Sequence, residues 1–518
     1  YLGIIDSMSL NKLKVDSIKV LFLYLFSIIT TSNANNLPEL GGAANQPISV
    51  FEEYQIGREI YFEIKKTSSF YDSPELEDYL SEKINKIIRS TENKTDEFLF
   101  PKKKQTQVKT FILLDDSLNA FALPGNFIGV HTGLFKGVRN EGELISVLSH
   151  ELAHLTQRHI ARMYGKNNEM SGFLIASAIL SAIAAGSSNG QAAAGILSLS
   201  QTIALQKRLT FSRQAEREAD RVGLRYLQQA GYQPVLMAEM LENLQLKANI
   251  INNSSISWLN THPLTFERIA DVNGRINKLQ IKNQVNYESH IKENEIFNWL
   301  RVSLRNKNDY VFKNNYLIPQ IDSKNIIENY KKKKKLKKIY EEVWKNIINE
   351  NYSIASLKLN QLKRDYYFKN KKMLVLFIAM TEATIAIKEE KFNLALSILN
   401  SFTNKKENRF LYRKFLRLKL EAYSGTGNLK EFEITAKKII KNWPTDTWVW
   451  SELANLSNSK GKIHQAHFYT AEKYVTLGMW KEAVEQLQLA RIKGQKDFIF
   501  LSKVDSRIKE IKKEFKNI

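Results

Sequence analysis

The 518 residues are too many for one ordinary domain, and with 43% hydrophobic and 11% aromatic residues the chain has enough apolar side chains for real cores, which excludes a disordered protein. The net charge of +22 is lopsided: residues 301–518 hold 45 basic against 23 acidic residues, whereas residues 1–300 hold 31 of each sign. That excess fits either a solvated lysine-rich face or a surface for nucleic acid, an anionic membrane or an acidic protein partner. With no cysteine there are no disulfides and no thiolate chemistry.

Residues 1–34 read as a secretory signal peptide. Lys12, Lys14 and Lys19 form a basic start, Val20–Thr31 an apolar run, and Ser32-Asn33-Ala34 a small-residue cleavage site. The run is short for a membrane span, and a retained anchor is the alternative. The expected location is the periplasm. Over residues 50–92, Tyr54, Ile56, Ile60, Ile64, Leu80, Ile84 and Ile87 recur at helical spacing. Val108–Leu114 predicts a buried strand. Pro124-Gly125-Asn126 predicts a turn between two extended runs, hence a hairpin over Asn119–Phe135. Glu143–Tyr164 predicts one long amphipathic helix. Ser171–Leu205 predicts two close-packed apolar helices around Gly186–Gly190, either buried or touching a membrane at most peripherally. Phe211–Gln229 and Pro234–Lys247 predict two further helices. Residues 276–336 are polar and basic, closing on Lys331–Lys335, and predict a linker.

From 337 to 518 the pattern is helical and repetitive. A bulky residue, an alanine three later and a large residue four beyond that recur at Tyr352/Ala355/Leu359, Phe392/Ala395/Leu399, Ile463/Ala466/Thr470 and Trp480/Ala483/Leu487, with a weaker copy at Leu429/Phe432. The spacing from Phe432 to Ala466 is 34 residues, the period of tetratricopeptide (TPR) repeats, against 40 and 37 for the earlier copies. Small residues belong where paired helices cross closely, and such stacks offer a groove to other proteins.

The chemistry is concentrated in His150-Glu151-Leu152-Ala153-His154. On a helix, residues i and i+4 share a face, so both imidazoles can address one zinc ion, with Glu151 beside them as general base. A third protein ligand is needed. Gln157 and Ile160 stand where the metzincin continuation needs Gly and His. His159, on a continuous helix, lies about 140° round from His154. A downstream carboxylate is left. In Glu216-Arg217-Glu218-Ala219-Asp220, Glu216 and Asp220 share a face and Glu218 points elsewhere. Glu216 is therefore expected on the metal, with Asp220 accepting a hydrogen bond from a ligand histidine.

His150-Glu151-x-x-His154 with Glu216-x-x-Ala219-Asp220 resembles metallopeptidase family 48, which includes the CAAX prenyl proteases. Leu37-Pro38-Glu39-Leu40-Gly41, Asn119-Ala120-Phe121-Ala122, His154–His159, Ser212–Glu216 and the repetitive tail are similar to the soluble periplasmic members of that family. The resemblance is specific from about 108 to 272 and loose in the repeats. The absence of cysteine, and of the four integral spans of other members, departs from the family pattern. The resemblance implies an α+β, zincin-like metalloprotease domain over 35–275, mostly helical with a small sheet and an edge hairpin. An all-α TPR-like superhelical domain would follow over 337–518. It further implies one Zn2+ per chain and cleavage of misfolded or stalled outer-membrane proteins. The expected partner of the repeats is the outer-membrane assembly machinery, and nucleic acid is not an expected ligand. Thr261-His262-Pro263 matches a family segment whose histidine lies over the active site, either filling the fourth zinc position or stabilising the oxyanion. An extended substrate would add along the Asn126–Phe135 edge. The rival reading is a non-proteolytic TPR adaptor or chaperone.

Overall fold

The computed structural model describes residues 48–67, 70–92, 108–165, 212–250, 258–279, 287–304, 324–365, 372–402, 409–494 and 497–514. The expected signal peptide and the apolar stretch 171–205 lie outside these residues. Helices α1 (Val50–Thr67) and α2 (Pro74–Glu92) precede strands β1 (Lys109–Leu113), β2 (Ala120–Leu123) and β3 (Phe127–His131). Then come α3 (Thr132–Gly137), α4 (Glu141–Thr156), α5 (His159–Gly165), α6 (Arg213–Gln229), α7 (Val235–Ile250), α8 (Trp258–Thr261) and α9 (Phe266–Lys278). The fold is thus mostly helical with one small sheet, as expected for this part.

The sheet differs from expectation in one respect that matters for a substrate. Its order is β1-β3-β2, with β1 parallel and β2 antiparallel to β3. Residues 127–131 are therefore interior, because β1 covers the side that the hairpin alone would leave open. Among the described residues the strand beside α4 is β2, which is an edge. In its pairing with β3, Phe121 faces Gly129, and the amide of Ala122 turns outward.

The long helix expected over 143–164 is two helices. Arg158 takes a left-handed conformation (φ 50°), ending α4 and turning α5 away. Arg158 is held there by Glu53 of α1 at 2.8 Å. Every residue of α4 from Glu141 to Leu155 is buried. Its start is fixed by Asn140, whose side chain accepts from the Glu143 amide at 2.9 Å.

The remaining helices are α10 (Tyr287–Val302), α11 (Lys324–Ile348), α12 (Tyr352–Asp365), α13 (Lys372–Lys388), α14 (Phe392–Asn400), α15 (Tyr412–Gly425), α16 (Leu429–Asn442), α17 (Thr447–Ser459), α18 (Ile463–Leu477), α19 (Trp480–Lys493) and α20 (Phe498–Glu514). The stretch expected as a linker contains α10, whose Phe297, Trp299 and Leu300 are buried, the Trp299 ring lying tilted against that of Tyr340 of α11 with centroids 4.2 Å apart. One hydrophobic core runs from α2 through α4 to α17. Two buried arginines of α15 form an ionic seam: Arg413 reaches Glu77 and Asp78 of α2 at 2.7 and 3.2 Å, and Arg417 reaches Asp72, just before α2, at 2.7 Å and buried Asp446, just before α17, at 2.6 Å. Leaving such a charge buried without its partner costs about 3–5 kcal/mol, so the seam constrains how the helices dock.

The helical tail repeats a turn as well as a sequence pattern. Glu350, Glu390, Gly427, Gly461 and Gly478 all have φ between 60° and 73°, and each stands two residues before a helix begins. In each case the next amide reaches back to a carbonyl five residues earlier, as in Asn351 to Asn346 at 2.8 Å and Lys462 to Ser457 at 2.9 Å. This is a helix-ending motif that glycine suits. Ala355, Ala395 and Ala483 are fully buried where helices cross. Two of the five turns hold glutamate in a conformation that costs an L-residue about 1–2 kcal/mol, partly offset by the freedom glycine loses on folding. Replacing Glu350 and Glu390 together by glycine should raise the unfolding free energy by about 1 kcal/mol. Urea denaturation of the double variant checks this.

Candidate metal centre

The site is assembled from α4, α6 and the end of α8. α4 and α6 can approach closely because Gly223 has no side chain: a Cβ there would stand 3.1 Å from the Ser149 carbonyl oxygen and 3.2 Å from the His150 Cα. Ser212 caps α6, accepting from the Ala215 amide at 3.1 Å, and so sets Glu216 in the first turn. His262 follows α8 directly, its amide bonded to the Trp258 carbonyl at 3.0 Å.

These elements bring His150, His154, Glu216 and His262 together, all buried, with one donor atom of each within 4.8 Å of the others. His150 Nε2 lies 3.0 Å from His154 Nε2, 3.4 Å from His262 Nδ1 and 3.4 Å from Glu216 Oε2. Glu216 Oε1 lies 3.4 Å from His154 Nε2 and 3.0 Å from His262 Nδ1. A tetrahedral zinc ion with bonds near 2.0–2.1 Å holds its ligand atoms about 3.4 Å apart. The donor set, three imidazoles and one carboxylate at these separations, fits such an ion.

Glu151 stands beside the cluster and outside it. Its Oε2 accepts from the Ala122 amide of β2 at 3.0 Å and its Oε1 from the Trp258 indole at 3.0 Å. His262 Nε2 is 3.5 Å from the same Oε1. Trp258 also stacks on the His262 ring, with centroids 4.6 Å apart and planes 18° apart. Asp220 Oδ1 lies 3.0 Å from His150 Nδ1, on the far side of that ring from the cluster.

The electrostatics follow from the burial of so many charges. Arg268 grips both Asp220 oxygens at 2.7 and 2.8 Å and reaches Glu216 at 2.8 Å. Burial alone would raise Glu216, but His262, Arg268 and the two α4 histidines hold it well below the usual carboxylate range. Burial alone would lower His150, yet Asp220 and Glu216 raise it to about 9. His154 goes the other way: burial lowers it well below the ordinary imidazole range, and the neighbouring His150 and His262 add to that. A neutral imidazole with a free Nε2 lone pair is the metal-binding form.

Glu218 points away from the cluster, to His159 at 3.1 Å and Arg162 at 2.7 Å. His159 is not among the converging donors, though for a reason other than helical angle. The break at Arg158 turns it back so that its Nδ1 faces His154 Nδ1 at 2.9 Å. His131 is buried on the interior strand, 2.8 Å from Ser117 Oγ. Trp258, Arg268 and the Ala122 amide were missed by the sequence reading. One signal was available for Arg268: buried Glu216 and Asp220 require a buried cation.

Residues 77–276 match Peptidase family M48. This stretch is an M48 peptidase domain. The chain is 30% identical over 250 residues to the beta-barrel assembly-enhancing protease of Escherichia coli (strain K12), covering 48% of each chain. It is 29% identical over 248 residues to the putative beta-barrel assembly-enhancing protease of Vibrio cholerae, covering 47% of this chain and 48% of the other. Mitochondrial metalloendopeptidase OMA1 of Arabidopsis thaliana is 31% identical over 156 residues, 30% of this chain and 29% of that one. The alignments span about half the length of the beta-barrel assembly-enhancing proteases.

Proposed function

We propose that the chain is a zinc-dependent endopeptidase of the periplasm that degrades misfolded or stalled outer-membrane proteins and assists their assembly. The observation that carries this reading is the convergence of His150, His154, Glu216 and His262 beside Glu151. When bound there, zinc supplies a Lewis acid for the scissile carbonyl and for water. The chain's own residues do the rest. Asp220 and Arg268 fix the His150 ring and Glu216. Glu151, aimed by Ala122 and Trp258, takes a proton from the attacking water and delivers it to the leaving amine. A substrate chain adds to the outer side of β2, whose Ala122 amide faces the site. That mode reads backbone more than side chains, which suits unfolded clients. The TPR-like helices select the client or the assembly machinery. Among the described residues no helix is long and apolar enough to cross a membrane. Purified full-length protein incubated with an unfolded outer-membrane protein should produce fragments, and a chelator should stop it. Binding without cleavage, in wild type and in His262→Ala alike, would leave the adaptor reading in possession.

The donor distances favour a resting state in which His262 takes the fourth position and leaves no place for water. His262→Ala should then speed cleavage of an unfolded substrate, with zinc retained by the other three ligands. A role in stabilising the transition state predicts instead a loss of about 10²–10³-fold, as for an oxyanion donor. Initial rates at equal zinc content separate the two.

A further inference from the structure

Away from the histidine cluster, a cavity of about 340 Å³ lies between α1, the β2–β3 turn and the last helices. Aromatic rings form much of its wall: Tyr61 and Phe62 of α1, Trp450 of α17 and Trp480 of α19. Phe62 and Trp480 meet edge to face at 4.8 Å. Three cations line it. Arg507 is held by both Glu472 oxygens at 2.8 and 3.0 Å, and Arg58 by Glu514 at 2.7 Å. Lys109, at the start of β1, is left over. Its ammonium sits 4.3 Å from the centre of the Tyr61 ring, and among the described residues no carboxylate lies within ion-pair distance of it. Burial, with Lys65 nearby, holds its pKa down at about 8 against the upward pull of Glu77. The cavity thus presents, among aromatic rings, an ammonium that forms no ion pair with any described residue. Its volume is near the lower end for ligand pockets, room for a terminal residue and not for a folded partner.

We propose that this cavity binds the C-terminal residue of a polypeptide, with its free α-carboxylate on Lys109 and an aromatic side chain against the ring-lined wall. A carboxylate supplies the counter-ion that Lys109 lacks, and such charge-assisted bonds are among the stronger ones. Stacked or edge-on rings add to the apolar burial. The placement gives the site a use. Gly125 and Asn126 form part of the cavity wall, and Ala122, just before them on the same hairpin, holds Glu151. A chain end fixed here is anchored on the strand that leads to the metal centre. That use rests on the peptidase reading, whereas the binding does not.

The test is calorimetric titration of the full-length protein, with chelator present so that the metal centre contributes nothing. The probes are N-acetyl-Leu-Phe as the free acid, the same dipeptide as its C-terminal amide, and N-acetyl-Asp-Phe amide, whose carboxylate is a side chain. The free acid should bind saturably, and both amides at least tenfold more weakly. Lys109→Met should bring the acid down to the amide's affinity, and Lys109→Arg should retain most of it. Equal binding of acid and amide, no binding of the acid, or no effect of Lys109→Met overturns the proposal. Binding of the Asp-Phe amide as tight as the acid overturns the chain-end assignment. Should Lys109→Met fail to fold, the acid-to-amide ratio on the wild-type protein decides by itself. Failure of the peptidase reading would leave these affinities unchanged.

Discussion

Glu151→Gln should lower the rate of peptide cleavage by about 10²–10⁴-fold, the range for removing a positioned general base, and leave the zinc content unchanged. The geometry separates the two effects. Glu151 is not one of the four converging donors, so the amide does not remove a ligand. Both its oxygens are already aimed, one by the Ala122 amide and the other by the Trp258 indole. Glutamine can keep one of these contacts but cannot take a proton from water. Metal analysis and initial rates on the same preparation check the prediction. Wild-type turnover in the variant would remove Glu151 from the reaction.

Glu216→Gln and Glu218→Gln should part company on metal affinity. Glu216 is wholly buried, holds an oxygen 3.4 Å from each α4 histidine Nε2, and is kept ionised by His262 and Arg268 against the cost of burial. Losing its charge removes a ligand and leaves Arg268 with Asp220 alone. The expected fall in zinc affinity exceeds the roughly 10–100-fold typical of an outer partner. Glu218 touches His159 and Arg162 outside the cluster, so its replacement should cost about tenfold or less. Competition with a chromogenic chelator measures both. The reverse order would move the third ligand to Glu218.

Much of this site was legible because helices keep time. The i and i+4 spacing of His150 with His154, and of Glu216 with Asp220, places each pair on one face before any tertiary contact is known. Ser212 announces where the second helix starts. What failed to show were the interactions that depend on chain reversal. The break at Arg158 is set by Glu53, about a hundred residues earlier, so the sequence around 158 reads as uninterrupted helix. The interior position of β3 follows from parallel pairing with β1, which no local alternation encodes. Arg268 and Trp258 carry no periodic signature and reach the site only because α8 and α9 fold back over it. In the tail, the recurring alanines revealed paired helices. The α2–α15 seam of Arg413 and Arg417 stayed hidden because its partners lie in a different part of the sequence.

If one zinc ion, held by His150, His154 and Glu216, drives peptide hydrolysis by this chain, activity must follow zinc. The most direct measurement is the initial rate of cleavage of an unfolded outer-membrane protein as zinc is returned stepwise to chelated, full-length protein. Cleavage should be absent without metal, rise in proportion to added zinc and level off at one equivalent per chain. Cleavage that persists in the stripped protein, or that keeps its full rate in a preparation unable to retain zinc, would contradict it.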